Sequence, residues 1–348
     1  KKGGHVKIMV QPEYTYLYDS LTSIDFNSNN TNVEAIIVFD KNEGHKSTIY
    51  NLNILEKLVP ILFQCDVFHP YYIYENVDSL FNKNSFLPYK IITSDFVIGI
   101  SYDQSKAVLY RDASMINLLN ETFQKQLNIA TPICQTFHPT PEEYLASTFA
   151  PTEDLDADSI YELFYQPCFP SFCPDDILLD RLNTDIIPPE MQNVIVDYFA
   201  KIRAQYQNKH ISFTLEGLNY FMETGRVTEI PDFMYSYLTP PQRLTMLKAI
   251  VASVDDGSFT PHIIRSERLT VPSPICICAP NEHKVIIYYF SPDKGQYIFS
   301  LQELSLVQAF YDFLTYLHES PLVYSLDESK AMLHNVLEKY QQLPNFQS

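Results

Sequence analysis

A strand–turn–strand–helix pattern occurs twice in this chain, and it limits the possible folds more than any other feature. The first copy, SYDQSKAVLYRDASMINLLNETFQKQL, covers Ser101–Leu127, and the second, SPDKGQYIFSLQELSLVQAFYDFLTYL, covers Ser291–Leu317. Aligned without gaps, the copies match Asp103 with Asp293. In both, β-branched and aromatic residues indicate strands, polar residues indicate a turn, and apolar residues then recur at helical spacing. The sequence therefore predicts two similar sheet–helix units.

The similarity extends upstream of both copies. A predicted helix (residues 50–64 and 240–252) and a predicted short strand (residues 90–94 and 274–279) precede each hairpin. The second helix has Thr239 as its cap and proline at its first position, which is a favoured start. The alternative is chance, because strand–turn–strand–helix is a common arrangement.

We predict an α/β (α+β) fold in which two similar sheet–helix units flank a helical insertion. The repeat lies near residues 33–127 and 238–318. Three regions follow: a first α/β unit over residues 1–130, a mainly helical insertion over 131–237, and a second α/β unit with a C-terminal helix over 238–348. A chain of 348 residues is long enough to bury an ample core.

Within the insertion, Asp154–Phe164 and Pro188–Tyr206 have the composition of helices. A further helix is expected after Thr214, whose hydroxyl can cap it. Gly225 follows that helix at the position where a left-handed residue usually ends one.

Charge excludes one large class of function. The chain has 24 Lys and Arg against 42 Asp and Glu, a net charge of −18. Binding to nucleic acid or an anionic membrane needs clustered basic residues, so we expect neither. No apolar run approaches the roughly 20 residues that span a bilayer, and no signal peptide is visible. We therefore predict a cytoplasmic protein without a membrane partner.

Local catalytic motifs are missing. The eight glycines are too dispersed for a phosphate-binding loop, which needs several close together. None of the nine histidines forms an H-E-x-x-H motif, and His318 is assigned to a helix end, where a cation complements the dipole. We predict no cofactor and no enzymatic activity, with an enzyme of dispersed catalytic residues as an alternative.

Cysteine spacing argues against a metal site. Cys168 and Cys173 lie in one loop, and Cys276 and Cys278 lie on one face of a predicted strand. A four-thiolate zinc site is conceivable, but neither spacing is the usual C-x₂-C. We predict free thiols and no metal.

A candidate binding element is the loop Gln166–Pro174, QPCFPSFCP. Its prolines restrict the chain, so Phe169 and Phe172 are candidate ligand-binding residues presented at little entropic cost. The alternative is that both rings fill the joint between domains.

One segment resembles a known group of proteins. The pattern F-T-x-E-G-L-x-x-F-x-x-T-G-R-x-x-E-I-P, at Phe213–Pro231, is similar to effector regions of Firmicute helix-turn-helix transcriptional regulators, as is SLVQAFYDFLTYL. The resemblance implies a bacterial protein that senses an unknown small molecule or protein and adjusts an attached DNA-binding domain, which this chain lacks. A protein-interaction scaffold is an alternative.

The resemblance also implies a homodimer, because such regulators read two-fold-related half-sites. A candidate interface is an apolar stripe on the C-terminal helix, which begins with the capping box Ser325–Glu328. The stripe consists of Met332, Leu333, Val336, Leu337 and Tyr340. The alternative is that this stripe packs on its own domain.

Overall fold

The chain divides into two compact units in the computed structural model. Unit 1 comprises Lys1–Gln135 and Leu301–Ala309, and unit 2 comprises Thr136–Ser300 and Phe310–Ser348. The structure describes residues 4–23, 31–41, 45–64, 67–77, 86–133, 135–137, 159–204, 209–273, 275–291, 295–301 and 303–346.

The first sheet has seven strands, and helices separate the first three of them along the chain. The strands are β1 (Gly4–Met9), β2 (Thr31–Asp40), β3 (Phe68–Glu75), β4 (Tyr89–Ile92), β5 (Val97–Ile100), β6 (Ala107–Tyr110) and β7 (Thr131–Pro132). The helices in this part of the chain are α1 (Thr15–Ser23), α2 (His45–Gln64) and α3 (Ala113–Leu127).

The order in this sheet is β6-β5-β4-β1-β2-β3-β7. Strands β1, β2 and β3 are parallel, while β4, β5 and β6 continue the sheet in antiparallel steps from β1. β2 is buried along most of its length, as a central parallel strand covered on both faces must be.

The second sheet is built in the same chain order. Its strands are β8 (Gln135–Phe137), β9 (Ile160–Leu163), β10 (Lys209–Thr214), β11 (His262–Ile264), β12 (Ile275–Asn281), β13 (Lys284–Ser291) and β14 (Gly295–Leu301). The helices in this part of the chain are α4 (Asp175–Arg181), α5 (Pro189–Ala204), α6 (Leu215–Thr224), α7 (Pro240–Asp255), α8 (Leu304–Leu317) and α9 (Leu326–Gln341).

Six strands correspond between the two sheets. The second order is β11-β10-β9-β12-β13-β14-β8, so β9 to β14 occupy the places of β1 to β6. Here too the first three strands are parallel, and β12 and β13 follow in antiparallel steps. The extra strands differ, since β7 flanks β3 whereas β8 flanks β14. The predicted α/β fold with two similar units is confirmed.

The hairpin and helix that revealed the repeat form as predicted. Asp103 accepts hydrogen bonds from Ser105 in the first turn, and Asp112 caps α3 by accepting from the amide of Met115. Phe123 is fully buried. Asp293 lies outside the described residues.

Helix α8 is capped by an acidic side chain. Ser300 lies within β14 and does not cap it. The buried Glu303 carboxylate instead accepts from the amides of Ser305 and Leu306, which places a negative charge at the positive end of the helix.

The structure places the domain boundaries differently from the sequence prediction. Residues 131–237 are not a separate helical insertion, because they supply β9 and β10 of the second sheet. The repeat therefore starts earlier in both units than residues 33 and 238. Asp154–Phe164 was predicted as a helix, but its described part contains β9. A four-residue strand with Glu162 in it has too little apolar alternation to be recognised.

The other predicted helix signals are confirmed. Thr214 accepts from the amide of Gly217 at the start of α6, and Gly225 ends it with a positive φ of 77°. Thr239 and Gln242 form a capping box on α7. Gln166–Pro174 includes a short 3-10 turn at Phe169–Phe172.

The apolar stripe of α9 packs inside unit 2, which corrects its predicted role as a dimer interface. Leu333, Val336 and Tyr340 are buried in the core of the unit, and Met332 and Leu337 pack against it. Helix α9 lies against α7. A stripe already covered by its own unit cannot also hold a partner.

No helix in the described part of the chain is both long and apolar enough to cross a membrane. The longest, α2, spans 20 residues and contains Pro60. Its exposed positions include Glu56 and Lys57.

Candidate metal centre

Three parallel strands of unit 2 direct one row of side chains to the same face of the sheet. His210 of β10 pairs with Tyr161 of β9, and Ser212 of β10 pairs with His262 of β11. Paired residues of parallel strands share a face, and residues two apart on one strand do so as well. The register therefore brings two histidines, a tyrosine and a serine together.

The third histidine comes from a helix end. His318 follows α8 directly, and its ring lies 4.0 Å from the ring of His262 and 5.3 Å from that of His210, between centroids. One ligand atom from each imidazole lies within 4.8 Å of the other two. We call His210, His262 and His318 the histidine cluster.

Tyrosines pack around the cluster. Tyr161 stacks on His210 with centroids 4.6 Å apart and planes 11° apart, and it also lies 5.4 Å from His318. Tyr311, two turns before His318 on α8, meets Tyr161 edge-on at 5.6 Å. These contacts place Tyr311 and His318 over this face of the sheet, and the three histidines are partly exposed.

The cluster is neutral at physiological pH. Burial lowers the pKa of His210. Burial, and then the neighbouring His210, lower the pKa of His262 to about 4. Burial, followed by His262 and His210, lowers the pKa of His318 to about 3. His318 is therefore not the cation that the sequence assigned to the helix end.

Neutral imidazoles are the form that binds metal ions. Within the part of the chain that the structure describes, no side chain or backbone group makes a hydrogen bond with the ring nitrogens of the cluster. Their lone pairs are thus available to an ion. Among the described residues, this is the one group of three or more His, Cys, Asp or Glu close enough to hold a metal.

The ring geometry sets a condition for binding. The planes of His262 and His318 are only 10° apart and stacked at 4.0 Å. An ion lies in the plane of each imidazole that ligates it, and two stacked planes share no such point. Zn–N bonds of about 2.0–2.1 Å in a tetrahedral site would separate the two centroids by about 5 Å. One ring must therefore turn when both bind one ion.

The opposite face of the same strands carries a buried ionic network. Lys209 donates to Glu162 Oε1 at 3.0 Å, and both side chains are almost fully buried. Burial is the largest single influence on the pKa of Lys209 and lowers it, but the neighbouring groups, Glu162 first among them, together raise the pKa above its usual value. Burial, and then Glu162, raise the pKa of Glu229 to about 8. Two atoms, Glu162 Oε2 and Glu229 Oε1, are buried without a hydrogen-bond partner among the described residues.

The four predicted thiols carry no disulfide, and they do not form a metal-binding group among the described residues. Cys168, Cys173 and Cys276 are buried, and burial raises the pKa of Cys168 and Cys173 to about 12. Cys278 lies 3.8 Å from Glu162 Oε1. These buried thiols are protonated at neutral pH.

The two candidate ligand-binding phenylalanines lie in the core of unit 2. Phe169 is 1% exposed and stacks on Phe221, while Phe172 is 8% exposed and meets Phe259 edge-on. The loop does not present them at the surface, because a 3-10 turn points both rings inward. They are packing residues of this unit.

The histidine cluster was not predicted from the sequence, which indicated no metal site. Neighbouring members of the cluster are separated by about fifty residues in the chain, and no local motif connects them. The sequence contained one weak signal that these histidines lie on strands. His210 and His262 each begin a short run that contains β-branched residues, HISFT and HII.

No protein-family model matches this chain, and no curated protein matches it. Among solved structures, the chain is similar to phosphatidylserine synthase of Haemophilus influenzae Rd KW20, with a TM-score of 0.27 and 11% identity, covering 98% of this chain and 88% of that chain. A TM-score of this size indicates neither a shared fold nor a shared function.

Proposed function

We propose that unit 2 binds one divalent transition-metal ion through His210, His262 and His318. The observation that carries this proposal is the convergence of three ligand atoms within 4.8 Å of one another. The ligands come from two strands and a helix end, so they approach the ion from different directions. Their neutral state and available lone pairs support the same conclusion.

The ligand chemistry selects the class of ion. Imidazole favours Zn²⁺, Co²⁺, Ni²⁺ and Cu²⁺, whereas Mg²⁺ and Ca²⁺ prefer oxygen ligands. Three histidines leave the fourth position of a tetrahedral ion open to water. Ser212 Oγ is buried on the same face without a hydrogen-bond partner among the described residues.

Metal binding would distinguish two states of unit 2. His262 and His318 stack at 4.0 Å, and an ion shared by both rings requires one ring to turn and the centroids to separate. His318 follows α8 directly, so the change falls at the end of a helix. A ligand shifts a conformational equilibrium only when it binds the two states with different affinity, and this site meets that condition.

The wider role that we propose is the ligand-sensing region of a transcriptional regulator. The similarity of Phe213–Pro231 to segments of such regulators supports it, and the metal ion supplies a ligand to be sensed. Contact with DNA would come from another domain, since this chain has a net charge of −18.

Titration calorimetry of the whole chain with Zn²⁺ tests the metal site. We expect one ion per chain for the unaltered protein, and at least a tenfold loss of affinity in His210→Gln and His262→Gln. Visible absorption of the Co²⁺ form should show tetrahedral coordination, because three imidazoles and one water make a four-coordinate site.

His283→Gln is the matched control, because the side chain of His283 is 77% exposed and outside the cluster. It should bind Zn²⁺ as the unaltered chain does. Absence of binding by the unaltered chain, or equal affinity in His262→Gln and His283→Gln, would overturn the proposal.

A further inference from the structure

The two sheets differ in what lies beyond one pair of corresponding strands, β6 and β14. In the second sheet, β14 is flanked by β8, so the edge of the repeated unit is covered by an additional strand. In the first sheet the corresponding strand, β6, is the last one, and no described strand lies beyond it. The repeated unit thus has a place for a further strand at this edge, and in the part of unit 1 that the structure describes no strand fills it.

The open edge is apolar. All of β6 except Tyr110 is exposed, with Val108 at 40% and Leu109 at 50%. An exposed edge strand offers unpaired amide and carbonyl groups to another strand, and natural proteins usually protect such edges with charges, prolines or a covering segment. The sequence AVLY carries none of these within the strand.

The ladder to β5 shows which backbone groups of β6 point outward. Ser101 donates to the carbonyl of Lys106 at 2.9 Å, and Gly99 pairs with Val108 in the same register. Hydrogen-bonded pairs alternate in an antiparallel ladder. Lys106, Val108 and Tyr110 therefore bond to β5, and the N–H and C=O groups of Ala107 and Leu109 face away from the sheet.

We propose that β6 pairs antiparallel with β6 of a second copy of this chain, around a two-fold axis at Leu109. In this register Leu109 lies opposite Leu109 of the second copy, and Ala107 lies opposite Arg111. At Ala107, Leu109 and Arg111, the hydrogen bonds to the second copy are made by backbone N–H and C=O groups that point away from β5. The apolar side chains of the strand become covered, and the chain forms a homodimer through unit 1.

Charge selects this register and a second copy as the occupant. Lys106 lies opposite Asp112 of the second copy, and the symmetry repeats this pair. Asp112 is in extended conformation, so the ladder can continue to it. If the partner strand shifted by one residue, Lys106 would lie opposite Arg111, and the two positive charges would repel each other. The outward-facing backbone N–H and C=O groups of one β6 would then also face groups of the other β6 that are already hydrogen-bonded to β5. A single strand pair is a small interface, so we expect a reversible dimer with a dissociation constant in the micromolar range.

Sedimentation of the whole chain between about 1 and 100 μM measures the dimer. Leu109→Pro removes one outward N–H without touching the ladder to β5, since proline is tolerated at such edge positions. We expect Leu109→Pro and Lys106→Glu each to weaken dimerisation at least tenfold. Lys57→Glu, the same charge change at an exposed position on α2, should leave it unchanged.

A mixing experiment identifies the register. Lys106→Glu and Asp112→Lys should each be monomeric alone, while an equimolar mixture should form a dimer, because both cross-strand pairs then have opposite charges. Circular dichroism checks that Asp112→Lys, which loses the cap of α3, stays folded. A monomer at 100 μM, a dimer insensitive to Leu109→Pro, or a mixture that stays monomeric would each overturn the proposal.

Discussion

Lys209 and Glu162 form an ion pair at 3.0 Å with side chains only 6% and 7% exposed. Each is the sequence neighbour of a residue on the opposite face, since His210 follows Lys209 and Tyr161 precedes Glu162. Two adjacent strands thus hold the candidate metal centre on one side and a buried ionic network on the other. Any change in the pairing of β9 with β10 affects both.

Replacing only one member of the buried ion pair should destabilise the fold strongly. Lys209→Met should lower the free energy of unfolding by about 3–5 kcal/mol, because it leaves the buried Glu162 carboxylate uncompensated. The double variant Glu162→Leu with Lys209→Met should recover most of this loss. Urea unfolding followed by circular dichroism measures both.

Lys41→Met is the control for the ion-pair prediction. Lys41 pairs with Glu75 at the surface, where the two side chains are 46% and 43% exposed, and such pairs contribute about 1 kcal/mol or less. If Lys209→Met were no more destabilising than Lys41→Met, the buried pair would have no special role in stability.

The raised pKa of Glu229 predicts that the folded chain loses stability as pH rises. Its pKa is about 8 in the folded chain and near 4.5 in the unfolded chain, so between these values the folded state holds a proton that the unfolded state has released. The free energy of unfolding should therefore fall from about pH 4.5 to about pH 8. Glu229→Gln stays neutral and should flatten this dependence. Equal slopes for both proteins in urea unfolding across this range would contradict the assignment.

Zinc should stabilise the chain if the histidine cluster binds it. At a free Zn²⁺ concentration about 100 times the dissociation constant, the folded state gains about 2.7 kcal/mol. Thermal unfolding should shift upward in the unaltered chain and in His283→Gln by the same amount. In His262→Gln the gain at the same Zn²⁺ concentration should be about 1.4 kcal/mol or less, because its affinity is at least tenfold lower. An undiminished shift in His262→Gln would place the ion elsewhere.

Phe169 should act as a core residue and not as a ligand-binding residue. Its ring is 1% exposed and stacks on Phe221, so Phe169→Ala should cost about 3–5 kcal/mol of unfolding free energy. Phe86 is 83% exposed, and Phe86→Ala should change stability by no more than about 0.5 kcal/mol. Comparable losses in urea unfolding would show that Phe169 does not pack as described.

The sequence by itself determined the local elements and the repeat. Thr214, Thr239 and Ser325 start helices, and Gly225 ends one, because capping depends on hydrogen bonds within a few residues. The hairpins were recognisable for the same reason, since turn chemistry and strand alternation are local. Two similar α/β units followed from these elements.

Only the tertiary structure decided where the units begin and which side chains meet. β9 was hidden because a four-residue strand that contains Glu162 becomes a strand through its neighbours β10 and β12, not through its own pattern. The histidine cluster was hidden because strand register and the end of α8 bring together residues about fifty positions apart. Burial then sets their protonation, since the cost of desolvating a charge depends on surroundings that a linear sequence does not contain.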